Sequence, residues 1–447
     1  MFEPLYTSEE MREAEEAYPG YPDSIPELME RAGGAVADAV AWRFPGARVV
    51  AVCGKGSNGG DGRIAGEKLG GRVVEVGEEV PDDAEVIVDA LFGTGFHGIP
   101  RPEAARQIEQ INASGAHVVA VDVPSGVDAS TGEVAGAAVQ AELTVTFHGL
   151  KVGLVVAPGR FHSGEIELAN IGLEPRETRH LRVTDHILAL VPRKNEGDNK
   201  YSAGSVLLVG GSPGMSGAAA LASRAAFRAD AGYVAIAAPA ESLPILETLV
   251  VEAVKRPLEE VFDTVGRAGA LALGPGLGRS PEKKELVRRL LEETDVPAVV
   301  DADALYELEP FSREAPTVLT PHSGELGRLI GEESSWVDDH RLEALARAVD
   351  RFDCAVLLKG ADTLIGAPGR PVLVHGTHTI PALATAGTGD VLTGITAAFL
   401  AKGLDAQTAA AAASMAHGLA AIRAGKPRGM VAGDVIEALP HALGDQD

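Results

Sequence analysis

Sulfur is scarce in this chain: 447 residues hold two cysteines, Cys53 and Cys354. Two thiols cannot build a disulfide framework, and they argue against chemistry at paired sulfur. Positive charge is also short, with 39 Lys and Arg against 64 Asp and Glu, a net charge of -25. Such a surface repels a phosphate backbone, which argues against nucleic acid as a partner. Any anionic ligand must then be held by local glycine loops, helix ends or cations, because the global field opposes it. Only 11 of the 39 basic residues are lysine, and aromatics make up 4%. That balance fits a salt-loving host, although a high-GC genome biases the basic residues the same way. No apolar run approaches the roughly 18–20 residues of a membrane helix. The nearest, AQTAAAAASMAHGLAAIRAG, is interrupted and reads as a packed helix. The N-terminal MFEPLYTSEEMREAEEAYPG lacks the basic-then-apolar pattern of a signal peptide. Short-period repeats are missing too. A cytoplasmic protein with no membrane partner is the expectation.

What is present is length, apolar residues and glycine. A chain of this size accommodates two or three domains, and 45% hydrophobic residues with 53 glycines suit α/β architecture. TSEEMREAEEAY and IPELMERAGGAVADAVAWRF read as helices, the first behind a Ser/Thr cap. Short β-branched runs follow: ARVVAVCG, GRVVEVG, AEVIVDALFG, HVVAVDVPSG and LTVTFHG, with helical stretches between them. Apolar strands alternating with helices predict a parallel sheet covered on both faces, with ligands beyond the strands' carboxyl ends. Residues 174–200, rich in charge and carrying Pro175, Pro192 and Gly197, read as a connection. Beyond it the alternation restarts with SVLLVGGS, YVAIAAP, ALALGPGLG, PAVVDADAL, PTVLTPHSG, CAVLLKG, TLIGAP and PVLVHG. Two consecutive α/β domains are expected, over residues 1–190 and 195–447.

The first cluster of chemistry starts at GKGSNGGDG, between a strand and a helix. Gly54, Gly56 and Gly59 satisfy a dinucleotide fingerprint, and Glu75 roughly supplies its ribose acid. A NAD-dependent dehydrogenase ranks low, however, because Asp61 is a poor companion for a pyrophosphate without a cation. Asp89 and Asp122 end two further strands. A single strand-end aspartate usually caps a turn. Here three strand ends converge with Asn58, Asp61, Asp89, Asp122 and Ser125. Oxygens of that kind suit a hard cation, and a carboxylate beside a cation serves as a general acid or base.

The second cluster includes VGGSPGMSGAAALA, GPGLG, VDADAL, TPHSGEL and LLKGADT, each after an expected strand. His322 has no other histidine at metal spacing, which speaks against zinc. Asp301 and Asp303 read as helix caps. The closing ATAGTGDVLTG places Gly387, Thr388 and Gly389 at a helix start, where free N–H groups and the dipole hold an anion. Asp390 beside them can take a proton from a hydroxyl, and an anion hole next to a base is what phosphoryl transfer to an alcohol requires.

Taken together, SNGGDG, DALFGTG, VDVPSGVDASTG, TVTFHGLKVGL and PGRFHSGEIELANIGL resemble the epimerase domain of the NAD(P)H-hydrate repair enzymes over residues 5–175. The resemblance implies interconversion of the R and S hydrates at C6 of the nicotinamide ring, with a potassium ion (K+). It places that ion on Asn58, Asp89 and Ser125, and makes Asp122 the catalytic carboxylate. The substrate would lie on Ser57, Asn58, Gly59, Gly60 and Asp61, on Gly93, Thr94, Gly95, Phe96, His97, Gly98 and Ile99, and on Asp122. Ser57-Asn58 departs from the family's paired asparagines.

The second half resembles the ribokinase-like dehydratase domain of the same family over residues 195–442. That implies phosphorylation of the S hydrate by ADP, carried with Mg2+, then loss of phosphate to give NAD(P)H and AMP. Lys359, Gly360, Ala361, Asp362 and Thr363, with Ala386, Gly387, Thr388 and Gly389, would bind the nucleotide. Asp390 would be the base, contacting the hydrate along with Ala218, Gly276, Gly278, His322 and Glu325. Ile380, Ala382 and Ala386 stand where the family carries an asparagine and two glycines. The expected fold is a Rossmann-like αβα sandwich followed by a ribokinase-like one, in a homo-oligomer. The competing functions are a ribokinase-like small-alcohol kinase and a nucleotide-binding scaffold whose first domain is inactive.

Overall fold

The computed structural model describes residues 1–376 and 380–444. Two compact units divide the chain. One comprises Pro4–Leu181 with the short segment Asp338–Arg341, and the other comprises Met1–Glu3, Arg182–Val337 and the chain from Leu342. The last residues of the expected 195–447 domain, 445–447, lie outside the described residues.

In the first unit six strands form a wholly parallel sheet. Their order is Arg72–Glu75, Val49–Cys53, Val86–Ala90, His117–Val121, Leu143–Phe147 and Glu165–Ala169. Successive side chains leave opposite faces of a strand, and here both faces are apolar. Ala51, Val88, Val119 and Val145 pack with Val36, Val40 and Ala65 of the helices Ile25–Arg43 and Ser57–Lys68. Val50, Val52, Ile87 and Val118 pack with Ile108 and Ile111 of the helix Pro102–Ala113. The strand order reverses beside Val49–Cys53, which opens a crevice at its carboxyl end. Thr7 and Glu10 close a capping box on the helix Ser8–Glu16.

The sequence pattern puts a loop over residues 54–62, but the helix already begins at Ser57, so SNGGDG forms its first turns. The glycines misled because they serve packing rather than flexibility. A Cβ on Gly59 would stand 1.9 Å from the Gly54 carbonyl oxygen, so the helix start lies directly on the turn before it.

The second unit carries a mixed sheet. Val254–Pro257, Tyr233–Ala238, Ser205–Val209, Ala270–Leu273, Ala298–Val300, Thr317–Leu319 and Ala355–Leu358 run parallel. Thr363–Gly366 and Val372–His375 add an antiparallel hairpin. The edge strand VKRP is too polar to be read from sequence, as edges commonly are. The order reverses beside Ser205–Val209, where Gly211 N–H donates to the Pro275 carbonyl. The helices Ser216–Arg228 and Thr388–Ala401 touch at Gly394, whose absent side chain leaves room for the Ala222 carbonyl. Ala406–Ala424 is buried on nearly every side, and no described helix is long and apolar enough to cross a membrane.

Candidate active sites

A cavity of about 820 Å³ opens in the first unit at the sheet's reversal point. Ser57, Asn58, Asp61, Gly93, Thr94, Gly95, Phe96, His97, Ile99 and Asp122 line it, so most of the residues singled out in sequence meet here. Gly59, Gly60 and Gly98 do not. Gly60 instead makes room for the Met29 side chain beside the cavity. Two anchors hold the 93–99 loop: Ser8 Oγ donates to the Thr94 carbonyl at 2.5 Å, and His97 Nδ1 lies 2.8 Å from Asp128 Oδ2. Phe92 and Phe96 stack with ring centres 4.6 Å apart.

Asp122 follows the strand His117–Val121 with φ of 67°, a left-handed conformation uncommon outside glycine. Strain of this kind persists where the surroundings fix the residue, and here a buried lysine does so. Lys151 Nζ stands 2.5 Å from Asp122 Oδ1 and also donates to Thr146 Oγ1 and the Phe147 carbonyl. Two further carboxylates face the same cavity. Burial, reinforced by Asp122 and Glu15, pushes the Asp61 carboxyl up to about 8, and its Oδ1 is buried with no hydrogen-bond partner among the described residues. Burial, then the charge of Asp122, also raises Glu15.

Asn58, Asp89 and Ser125 gather around the Phe92 peptide. Asn58 Nδ2 donates to the Phe92 carbonyl at 2.8 Å, and Phe92 N–H donates to Ser125 Oγ at 2.9 Å. Ser125 donates to Asp89 from both N–H and Oγ. Burial lifts Asp89 to about 6, with the Ser125 bonds opposing the shift. Glu75, the expected ribose acid, is taken up by a two-pronged ion pair with Arg63. That removes the main support for a dinucleotide fingerprint.

In the second unit the structure brings Lys359, Gly389, Asp390, Asp301 and Glu325 together. A Cβ on Gly389 would lie 3.6 Å from Lys359 Nζ, which places the ammonium against the glycine loop. Gly387 is the N-cap of the helix Thr388–Ala401, with φ of 90°, and it makes no side-chain capping bond there. Asp390 sits in the first turn. Burial, then the charge of Asp301, raises it to about 6 while Lys359 pulls it down. Burial pulls Lys359 down, but Asp301 and then Glu325 outweigh this and leave its ammonium above the ordinary range. Gly360 and Ala361 are exposed, and Asp362 is buried just before the hairpin strand that Thr363 opens. Ala386 is exposed beside Gly387.

His322 turns out to be a cap. Its Nδ1 accepts from Gly324 N–H at 3.0 Å, while Glu325 accepts from His322 N–H. Ala218 lies in the first turn of Ser216–Arg228, and its N–H donates to the Met215 carbonyl, over which Gly276 passes closely. Gly278 N–H donates to Asp303 Oδ2, which links the GPGLG turn to the acid cluster.

Two residues were missed from sequence. Lys151 was legible only as a lysine inside an apolar run. Asp301, expected to cap a helix, makes no such cap: its carboxylate is buried and holds Lys359 at 2.8 Å.

Comparison with known proteins gives concordant matches. Residues 206–441 match the NAD(P)H-hydrate dehydratase family, and residues 26–77 and 67–153 match the YjeF-related protein N-terminus family. The bifunctional NAD(P)H-hydrate repair enzyme Nnr of Moorella thermoacetica is 36% identical, over 93% of this chain and 92% of its own. That of Coxiella burnetii is 35% identical over 98% of both chains. Among solved structures, the ADP/ATP-dependent NAD(P)H-hydrate dehydratase of Bacillus subtilis, co-crystallised with ATP/Mg2+, has a TM-score of 0.54. It is 28% identical and covers 59% of this chain and 98% of its own. A ribokinase-like superfamily protein of Enterococcus faecalis shares the fold, with a TM-score of 0.55 at 23% identity over 61% of this chain and 98% of its own.

Proposed function

The chain belongs to the bifunctional NAD(P)H-hydrate repair enzymes, and from that premise we propose which residues run each of its two reactions. It is a NAD(P)H-hydrate epimerase and an ADP-dependent NAD(P)H-hydrate dehydratase. We assign the first activity to residues 1–190 and the second to residues 195–447; the family matches support this division.

In the epimerase site the hydrate occupies the cavity between the 57–61 helix start and the 93–99 loop, with C6 facing Asp122. The Lys151 ammonium keeps that carboxylate in place and offsets its charge. Potassium is the proposed cofactor, and the residues present fit it. Asn58, Asp89 and Ser125 offer oxygen, and the buried Asp89 carboxylate has neutral hydrogen-bond partners, so a monovalent cation there supplies the missing positive charge.

In the dehydratase site the terminal phosphoryl of ADP lies on the Gly387–Gly389 amides beside Lys359. Mg2+ is proposed to arrive on the nucleotide's phosphates, since Asp303 already spends both carboxylate oxygens on Gly278 N–H and Arg279. Asp390 takes the proton of the C6 hydroxyl, whose oxygen attacks the phosphoryl group and releases AMP. The C6–O bond then breaks as the ring-nitrogen lone pair moves in, phosphate leaves, and transfer of a C5 proton to the departing phosphate restores NAD(P)H. Positioning and charge stabilisation supply most of such catalysis.

The observation carrying this reading is the Lys359 ammonium packed against Gly389 with Asp390 on the next residue. A substrate derived from NAD(P)H favours a cytoplasmic enzyme, and a homo-oligomer is proposed, which sedimentation tests. Mixing the protein with racemic hydrated NADH and ADP should restore the NADH absorbance for both epimers. Recovery of half the hydrate only would sink the epimerase assignment, and no recovery would sink the dehydratase.

A further inference from the structure

Asp301 is buried to 2% exposure and uses both carboxylate oxygens on parts of the dehydratase site that are distant in sequence. Oδ1 accepts from Lys359 Nζ at 2.8 Å. Oδ2 accepts from Thr393 Oγ1 at 2.5 Å. Lys359 follows the strand Ala355–Leu358, and Thr393 lies on the helix Thr388–Ala401, three residues beyond Asp390. Thr393 is itself fully buried, and its hydroxyl is also 3.1 Å from the Gly389 carbonyl. The Asp301 backbone is fixed as well. Its N–H donates to the Leu273 carbonyl, and Gly274 passes so close that a Cβ there would meet the Asp301 carbonyl at 1.8 Å. One immobile carboxylate therefore joins the cation at the glycine loop to the helix that carries the base.

We propose that Asp301 is a positioning residue of the dehydratase: it fixes the Lys359 ammonium beside Gly389 and, through Thr393, sets where Asp390 stands relative to it. The proposal rests on the assignment of the dehydratase site given above. The Lys359 side chain is 21% exposed, and a lysine so enclosed loses its proton more readily once its counter-charge is removed. Among the described residues, four charged or titratable groups face Lys359. Asp301 comes from the strand end, Glu325 from the helix Ser323–Ile330 at 3.9 Å, Asp390 from the helix Thr388–Ala401, and His417 from the helix Ala406–Ala424. Burial holds His417 down to about 4, so it adds no charge at neutral pH. Asp301 is the member in direct hydrogen-bond contact.

Asp301→Asn keeps the shape and an acceptor for Thr393 while deleting the charge. Calorimetric titration of the full-length protein with ADP at pH 7 and pH 9.5 reads the effect without needing turnover. Wild type should bind equally at both values, and Asp301→Asn should lose at least tenfold between them. Parallel behaviour of the two proteins would overturn the proposal. Thr393→Val, which keeps the lysine's counter-charge, should bind ADP with no added pH dependence yet dehydrate with kcat down tenfold or more and KM for ADP unchanged. An unchanged kcat, or a loss confined to KM, would equally overturn it. Failure of wild type to dehydrate the hydrate sinks the functional assignment and leaves the ADP titration readable.

Discussion

The carboxylate of Asp122 and the ammonium of Lys151 stand 2.5 Å apart in the N-terminal unit, and the lysine is wholly buried. Breaking such a pair from one side strands a charge without solvent, which costs about 3–5 kcal/mol. Lys151→Met should therefore lower the stability of this unit by that order and abolish epimer exchange. Asp122→Asn should do the same to activity. The double variant should regain much of the stability and none of the activity. Thermal unfolding beside an epimer-exchange assay measures both. Equal destabilisation by the double variant and by the sum of the singles would show that the two groups do not interact.

Stability of the same unit should fall as pH rises. Asp61 is raised to about 8 and Asp89 to about 6, and Glu15 is raised too. An acid whose folded pKa exceeds its unfolded value binds its proton more tightly in the native state. Its contribution is complete below about pH 4 and is lost as pH climbs through the folded value. The window is therefore about pH 4 to 8, with a slope of at most about 1.4 kcal/mol per pH unit for each group. Between pH 6 and 8.5 the unfolding temperature of the wild type should drop, and Asp61→Asn should flatten that drop. A wild-type profile that is level over this range would contradict the burial of these carboxyls.

The architecture was largely legible because α/β folds write themselves locally: apolar runs such as VVAVC and VIVDA alternate with helices. Glycine loops and strand-end aspartates then mark the crevices. What stayed hidden depends on tertiary neighbours. Nothing near Asp301 in sequence announces Lys359, 58 residues on, or Thr393, 92 residues on. Lys151 looks like a stray charge until the fold sets it on Asp122. The resemblance makes His322 a substrate contact, and the capping bond of its Nδ1 emerges only with the helix it starts.

Gly387 is a point where the backbone itself constrains the dehydratase. Its φ of 90° is costly for any L side chain, by about 1–2 kcal/mol, and a Cβ would meet Leu221 Cδ1 at 2.7 Å. Gly387→Ala should twist the amides that cradle the phosphoryl group. Affinity for ADP should fall tenfold or more, with epimer exchange left at the wild-type rate. Initial rates against ADP concentration decide this, and an unchanged KM would show that the loop does not hold the nucleotide.

Asp390 offers the sharpest separation of the two activities. A base must be ionised to accept the hydroxyl proton, and burial with the charge of Asp301 sets Asp390 at about 6. Dehydration should therefore be level above pH 7 and fall about tenfold per pH unit well below 6, since the protonated carboxyl cannot act. Epimer exchange, governed by other residues, should not share that limb. Asp390→Asn should reduce dehydration by about 10²–10⁴-fold, the usual contribution of a positioned general base, while ADP still binds and the R and S hydrates still interconvert. Loss of both activities in this variant would mean that the two sites are not independent. Retention of the acid limb in its residual dehydration would assign the limb to a different group.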